Sequence, residues 1–159
     1  MLGWDGLRGL FTQSRSPFGR PAWLGLVLLL TPVLVAGLTM LPAAVTRLSL
    51  PVLVVSAGFG LANGTLEEVL WRGTYTRVFP DSWLWSVIYP ALGFGFWHLA
   101  PQSLFPFEGP GGAFGFAVQA IFLGLAWGWV ARKSGSIRWV VIAHILLNWV
   151  GLVGAALIG

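Results

Sequence analysis

The sequence predicts an all-α, polytopic transmembrane helical bundle of about five spans, and three observations carry that prediction. Of 159 residues, 57% are hydrophobic and only 9% are charged, with a mean hydropathy of +0.82, which leaves too few polar side chains to cover a water-soluble core. Five apolar stretches reach or approach the roughly 20 residues needed to cross a hydrocarbon layer about 30 Å thick. The 10 Trp, 11 Phe and 22 Gly supply interfacial aromatics and small packing residues of the kind helical membrane bundles use.

Residues 1–21, with Arg8, Arg15 and Arg20, read as a basic cytoplasmic leader, and residues 22–159 as the transmembrane domain. The first stretch, residues 22 to about 41, is longer than the apolar core of a cleaved signal peptide and reads as a retained span. The second opens near Leu50, runs through Gly60 and Leu66 into Glu67 and Glu68, and extends to Arg72 or Arg77, so its last turns are amphipathic. The third covers residues 83 to about 99, and Pro90 within it predicts a kink, because proline removes a backbone donor and clashes with the preceding turn. Residues 101–112, rich in Pro and Gly, read as a loop. The fourth and fifth stretches cover residues 113–131 and 137–157. No internal repeat or low-complexity tail is visible.

Charge placement orients the set. With the leader inside, that side receives Arg8, Arg15, Arg20, Arg72, Arg77, Arg132, Lys133 and Arg138, and the other side receives only Arg47 and Glu108. By the positive-inside rule this predicts a multi-pass protein of the cell inner or plasma membrane, amino end cytoplasmic and carboxyl end outside. The net charge of +4 comes from single basic residues beside apolar segments, not from a stripe, which argues against nucleic acid as a partner. The absence of cysteine excludes disulfides, thiol catalysis and thiolate metal sites.

The chemistry starts from helix geometry. Residues four apart share a helix face, so Glu68 can pair with Arg72. Glu67, rotated by about 100°, points elsewhere and is free for whatever occupies the bundle interior. Asn63, one turn earlier, is a candidate hydrogen-bond donor to it. The chain's two histidines stand in similar settings: His98 ends FGFWH in the third stretch, and His144 opens HILLN, with Asn148 one turn on, in the fifth. Three predicted spans thus each bring polar groups into a layer where an unsatisfied one costs several kcal/mol, and the expectation is that they converge on one cavity. A carboxylate beside a neutral imidazole can take a proton from water, while a histidine and an amide can donate to the oxygen of a tetrahedral intermediate. That combination equips a site to hydrolyse a peptide bond without a covalent intermediate. Ser56, Ser86, Thr65 and Thr74 have no histidine at helical spacing to activate them.

The segments EEVLWR (Glu67 to Arg72), FGFWH (Phe94 to His98) and HILLN (His144 to Asn148), in this order, resemble the EExxxR, FxxxH and HxxxN motifs of the CAAX prenyl protease and bacteriocin-processing (Abi) family. The resemblance covers residues 50–157, including the RKSGSIRW stretch before the last helix. It implies a glutamate-dependent intramembrane endopeptidase that needs no cofactor. Residue by residue, it implies that Glu67 activates water, His98 is its catalytic partner, Glu68 and Arg72 support the site, and His144 and Asn148 stabilise the oxyanion. It also implies a membrane-associated or hydrophobic peptide as substrate, prenylated, lipid-modified or bacteriocin-like. Alternatives are a zinc-dependent membrane hydrolase with Glu67, His98 and His144 as ligands, although no HExxH helix is present, and a non-enzymatic bacteriocin-immunity or interaction protein or proton-coupled carrier.

Plainer roles stand beside these. Glu68 with Arg72 reads equally as a structural ion pair, His98 as an aromatic-packed interfacial residue, and His144 with Asn148 as interhelical glue. The spacings Gly124 to Gly128 and Gly151 to Ala155 predict close helix packing. Trp83, Trp85, Trp127, Trp129 and Trp139, near span ends, read as interfacial anchors. At 1.5 Å per residue the histidines do not share one depth: Glu67 lies about 15 Å, His144 about 10 Å and His98 about 20 Å from the basic boundary. Convergence therefore requires tilt, the Pro90 kink or a re-entrant third segment.

Overall fold

The computed structural model describes residues 3–12, 16–44 and 48–155, and these are helical apart from short connections. Arg15, Arg47 and the last two residues of the fifth stretch, 156 and 157, lie outside the described residues. Among the described residues eight α-helices follow one another: α1 (Trp4–Phe11), α2 (Ala22–Ala44), α3 (Leu50–Glu68), α4 (Tyr75–Val78), α5 (Tyr89–Trp97), α6 (Leu99–Gln102), α7 (Gly112–Ser134) and α8 (Arg138–Ala155). A π-helical turn, Val69–Thr74, joins α3 to α4, and a second, Leu84–Ile88, leads into α5.

Local chemistry accounts for the ends. Ser49 caps α3, its hydroxyl accepting from the Val52 amide at 3.4 Å, with Pro51 in the first turn where its missing N–H is not needed. Helix α7 starts after Gly111 and ends at Gly135, both at positive φ (80° and 77°), where an L side chain would be strained. Arg132 and Lys133 sit in the last turn of α7, matched to its negative end. Pro90 falls in the first turn of α5, directly after the π turn. The expected interruption of the third stretch is thus a widened turn, as suits a residue that supplies no N–H to close the α turn before it.

Among the described residues, three helical stretches are long and apolar enough to cross a membrane: Ala22–Pro42 (21 residues), Leu50–Val78 (29 residues) and Gly112–Ser134 (23 residues). Arg138–Gly154 is apolar but shorter, and the stretch read as the third span is divided among a π turn, α5 and α6. The protein is a polytopic transmembrane bundle. Its outer faces carry Leu30, Leu34 and Leu38 on α2, Val54 and Phe59 on α3, and Phe122 on α7, all exposed, as lipid-facing surfaces require.

Helix α8 lies between α3 and α2, α7 meets α2, and α5 packs on α7 and reaches the π turn that follows α3. The apolar core gathers at the basic end, around Trp127, Val130, Ile137 and Val140. The leader is more than a polar tail. Its helix α1 buries Leu10 in that core, and a Cβ on Gly73 would come within 2.6 Å of Leu10 Cδ1. The Leu10 carbonyl accepts from the Ile137 amide (2.9 Å) and the Ser136 hydroxyl (3.1 Å), and the Gly9 carbonyl accepts from Arg77 Nη2 (2.8 Å). The Gly9 and Leu10 carbonyls, in the last turn of α1, are therefore satisfied by the bundle itself.

Candidate active site

The site is set by how closely α3 approaches α8. Ser56, Gly60, Gly64 and Glu68 recur every four residues and are all buried. A Cβ on Gly60 would lie 3.1 Å from the Ile145 carbonyl oxygen, and one on Gly64 would lie 3.0 Å from the Ile145 amide nitrogen. Hydrogen in place of a side chain lets the two backbones meet, which carries Glu68, one turn further along, to His144. The spacings Gly124 to Gly128 and Gly151 to Ala155 fare differently. Gly124 and Gly128 pack on Ala91 and Val87, whereas Gly151 faces open space.

Glu68 is fully buried. Its Oε1 accepts from Arg72 Nη1 at 2.9 Å and contacts His144 Nδ1 at 2.7 Å. The carboxylate accepts at this contact, so Nδ1 of His144 carries the proton and Nε2 is turned to the other side of the ring. Arg72 is also buried, its guanidinium carbon 4.2 Å from the centre of the Phe94 ring. The charges removed from solvent are thus paired with one another and covered by an aromatic face.

Glu67 points the other way, as its 100° rotation from Glu68 requires. Its Oε1 accepts from the indole Nε1 of Trp97 at 3.2 Å, and its Oε2 lies 3.5 Å from His144 Nε2. Trp97, not Asn63, is its hydrogen-bond partner. His98, next to Trp97, donates from Nδ1 to the Phe94 carbonyl at 2.7 Å; a carbonyl can only accept, so Nε2 of the neutral ring is left to accept a proton. The His98 ring packs edge-on to Phe94 (4.5 Å between centroids), and Phe94 packs edge-on to His144 (5.9 Å).

The third stretch thus reaches Glu67 through Trp97, the residue beside His98. A Cβ on Gly95 would lie 2.7 Å from the Ala117 carbonyl oxygen, and one on Gly93 would lie 2.6 Å from Trp71 Cζ3, so α5 is drawn tightly against both α7 and the turn after Glu68. Asn148, one turn beyond His144, has a buried Nδ2 with no hydrogen-bond partner among the described residues. The same holds for Glu67 Oε2, Glu68 Oε2 and Arg72 Nη2. Two acceptors on the acids that contact His144, one donor on the arginine that holds Glu68 and one donor a turn further along α8 are thus left open, a setting matched to water and to a polar reacting group.

No group of three or more His, Asp or Glu disposed to hold a metal ion is found among the described residues. Nδ1 of each histidine is already engaged, by Glu68 and by the Phe94 carbonyl.

The profile of the family described as type II CAAX prenyl endopeptidase Rce1-like matches residues 21–150. The chain belongs to this family. It is a CAAX protease-like glutamic intramembrane endopeptidase, a membrane hydrolase, and the pairing of buried His144 with Glu67 and Glu68 is consistent with a Glu/His site. No curated protein and no solved structure matches the chain.

Sequence spacing did not reveal Trp97 as the partner of Glu67 or the Gly60 and Gly64 seam. The glycine seam repeats the spacing that singled out Gly124 and Gly128. The Trp97 contact joins positions 30 residues apart and has no periodic signature. Trp127 differs from the expected interfacial anchor: it is fully buried, donates from Nε1 to the Leu28 carbonyl at 3.1 Å, and stands 5.1 Å from the His144 ring. Its indole N–H finds a backbone acceptor inside the bundle, so it has no need of the headgroup layer.

Proposed function

We propose that Glu67 is the general base of a peptide-bond hydrolysis carried out on a membrane-embedded or lipid-modified peptide. The observation that carries the assignment is the unequal engagement of the two acids. Glu68 is fully buried and its Oε1 is held by both Arg72 and His144, whereas Glu67 is partly exposed, is bonded among the described residues only to the neutral indole of Trp97, and has its Oε2 3.5 Å from His144 Nε2.

In this mechanism Glu67, with His98 Nε2 as its partner, takes a proton from water, and the hydroxide oxygen bonds to the carbonyl carbon. The oxyanion accepts hydrogen bonds from Asn148 Nδ2 and from His144 Nε2 in its protonated form. The proton held at Glu67 or His98 passes to the amide nitrogen, the C–N bond breaks, and a carboxylate and an amine leave. Glu68 and Arg72 act through His144, fixing its ring and tautomer. The exposed indole of Trp97 gives the mouth an apolar lip suited to a prenylated, otherwise lipidated or bacteriocin-like substrate.

Five crossings, with the amino end and the basic residues inside the cell inner or plasma membrane, are the topology we infer. Arg77, Arg132 and Lys133 gather around one cavity at one end of the bundle, which supports that reading through the positive-inside rule.

The test is cleavage of a candidate peptide by the purified protein in nanodiscs, together with trapping of bound peptide by Glu67→Gln. The expected result is no turnover, retained folding and captured substrate in the variant, with wild-type activity unchanged by thorough chelation. Undiminished cleavage by Glu67→Gln overturns the assignment, and loss on chelation with rescue by zinc alone would transfer it to a metal mechanism.

A further inference from the structure

A polar cavity lies at the basic end of the bundle, and none of its lining residues belongs to the Glu67 and His144 site. Its volume is about 290 Å³, at the foot of the roughly 300–1,000 Å³ range of small-molecule pockets. That is room for one small polar group, not for a peptide. Thr76, Arg77, Asp81, Ser86, Arg132 and Lys133 line it, so three cations stand against one carboxylate.

The internal bonds leave an excess of donors. Arg132 Nη1 is bonded to Asp81 Oδ1 and donates to Ser86 Oγ at 2.8 Å. Thr76 Oγ1 donates to the Arg72 carbonyl at 2.7 Å, and Arg77 Nη2 donates to the Gly9 carbonyl at 2.8 Å. Asp81 is thus taken up by Arg132. The further N–H groups of Arg77 and the ammonium of Lys133, which lies 5.5 Å from the Trp83 ring centre, have no carboxylate to match them within the cavity lining. A small, donor-rich pocket of guanidinium and ammonium groups is built for a phosphate-sized anion.

Position selects the source. The spans Leu50–Val78 and Gly112–Ser134 both end at this cavity, and half-exposed Trp83 stacks against Arg132 and Lys133, which marks the headgroup level. Basic pockets at that level between transmembrane helices suit anionic phospholipid headgroups. We propose that this cavity binds the phosphate of an anionic phospholipid headgroup. Leu10 and Ser136 also line it, so an occupant ties together the docked leader helix, the turn between α7 and α8, and the helix end that carries Arg72.

Thermal unfolding of the purified full chain in neutral detergent tests this, with short-chain phosphatidylglycerol, short-chain phosphatidylcholine or inorganic phosphate added at equal concentration. A ligand that binds only the folded state raises the midpoint. Phosphatidylglycerol is expected to raise it by several degrees and phosphatidylcholine not to. Lys133→Gln should remove at least half of that rise, Lys133→Arg should keep it, and Arg8→Gln, whose charge lies outside the cavity, should keep it too. An equal rise with inorganic phosphate supports the same site filled from solution, and no rise with phosphate assigns it to the lipid. Equal rises with the two lipids, no rise with phosphatidylglycerol or phosphate, or a full rise in Lys133→Gln overturns the proposal. Native mass spectrometry of retained phosphatidylglycerol, lower for Lys133→Gln than for wild type, gives a readout independent of the variant's own stability.

Discussion

Glu67 and Glu68 are neighbours in the chain and opposites in surroundings. Glu68 lies in a closed seam, where α3 and α8 meet backbone to backbone; its side chain has 0% exposure and holds Arg72 and His144. Glu67 lies at an open mouth, with 12% exposure and a neutral indole as its hydrogen-bond donor. One step of about 100° around the helix separates the two settings. The comparison shows how one doublet of acids can be divided between two environments: the fully desolvated acid holds Arg72 and His144, and its neighbour meets only a neutral donor, the difference on which the proton-transfer role proposed for Glu67 rests.

Glu67→Gln should sharpen that contrast most. The amide keeps the acceptor for Trp97, so folding should survive while kcat falls by about 10²–10⁴-fold, the usual worth of a general base; a cleavage assay beside a thermal melt reads both. Glu68→Ala should show the reverse emphasis. It leaves Arg72 buried without its carboxylate, a change worth about 3–5 kcal/mol of stability, measurable by denaturant titration in detergent. Equal melting of the two variants would break the comparison. Asn148→Ala removes a buried amide donor that has no hydrogen-bond partner among the described residues, and on the proposed mechanism should lower kcat by about 10²–10³-fold with little change in unfolding. Gly64→Ala forces a methyl group against the Ile145 backbone and should destabilise the seam by about 1–3 kcal/mol, with activity falling as His144 moves away from Glu68. The smallest effect is expected for Trp97→Phe: the indole is half-exposed, so loss of its N–H should lower kcat/KM about three- to tenfold, up to about 1.4 kcal/mol.

Contacts along a single helix were the legible ones. The Glu68 and Arg72 pair, the divergence of Glu67, and the tight packing of Gly124 and Gly128 follow from a repeat of 3.6 residues and from side-chain size. The helix positions were legible for the same reason, since a long apolar run has few other uses. Contacts between helices were harder to read. In lipid, the surface facing the hydrocarbon is as apolar as the surface facing a neighbouring helix, so hydropathy does not report which way Trp97 or Trp127 turns. Asn63, one turn away, is the candidate donor that the helix repeat offers Glu67, but the indole of Trp97, on another helix, takes that place. Residues of all three motif segments do meet, through Glu67 with Trp97, Glu68 with His144 and Phe94 with His144, as befits ionisable groups too costly in this layer to be scattered at random. The leader was read by its charge, and the charge concealed Leu10, the apolar residue that docks it.

The wide turn at Val69–Thr74 leaves its own mark on the molecule. A π turn holds one more residue than an α turn of the same span needs, so the helix stores a spare unit of length beside its most constrained pair. Removing a residue after Arg72 would let the turn relax to ordinary α geometry while the seam upstream stayed in register. The same deletion between Ser56 and Gly64 would swing part of the glycine track about 100° off Ile145. Slack and rigidity thus alternate within three turns of one helix, and tolerance of length change is confined to the side towards the basic end.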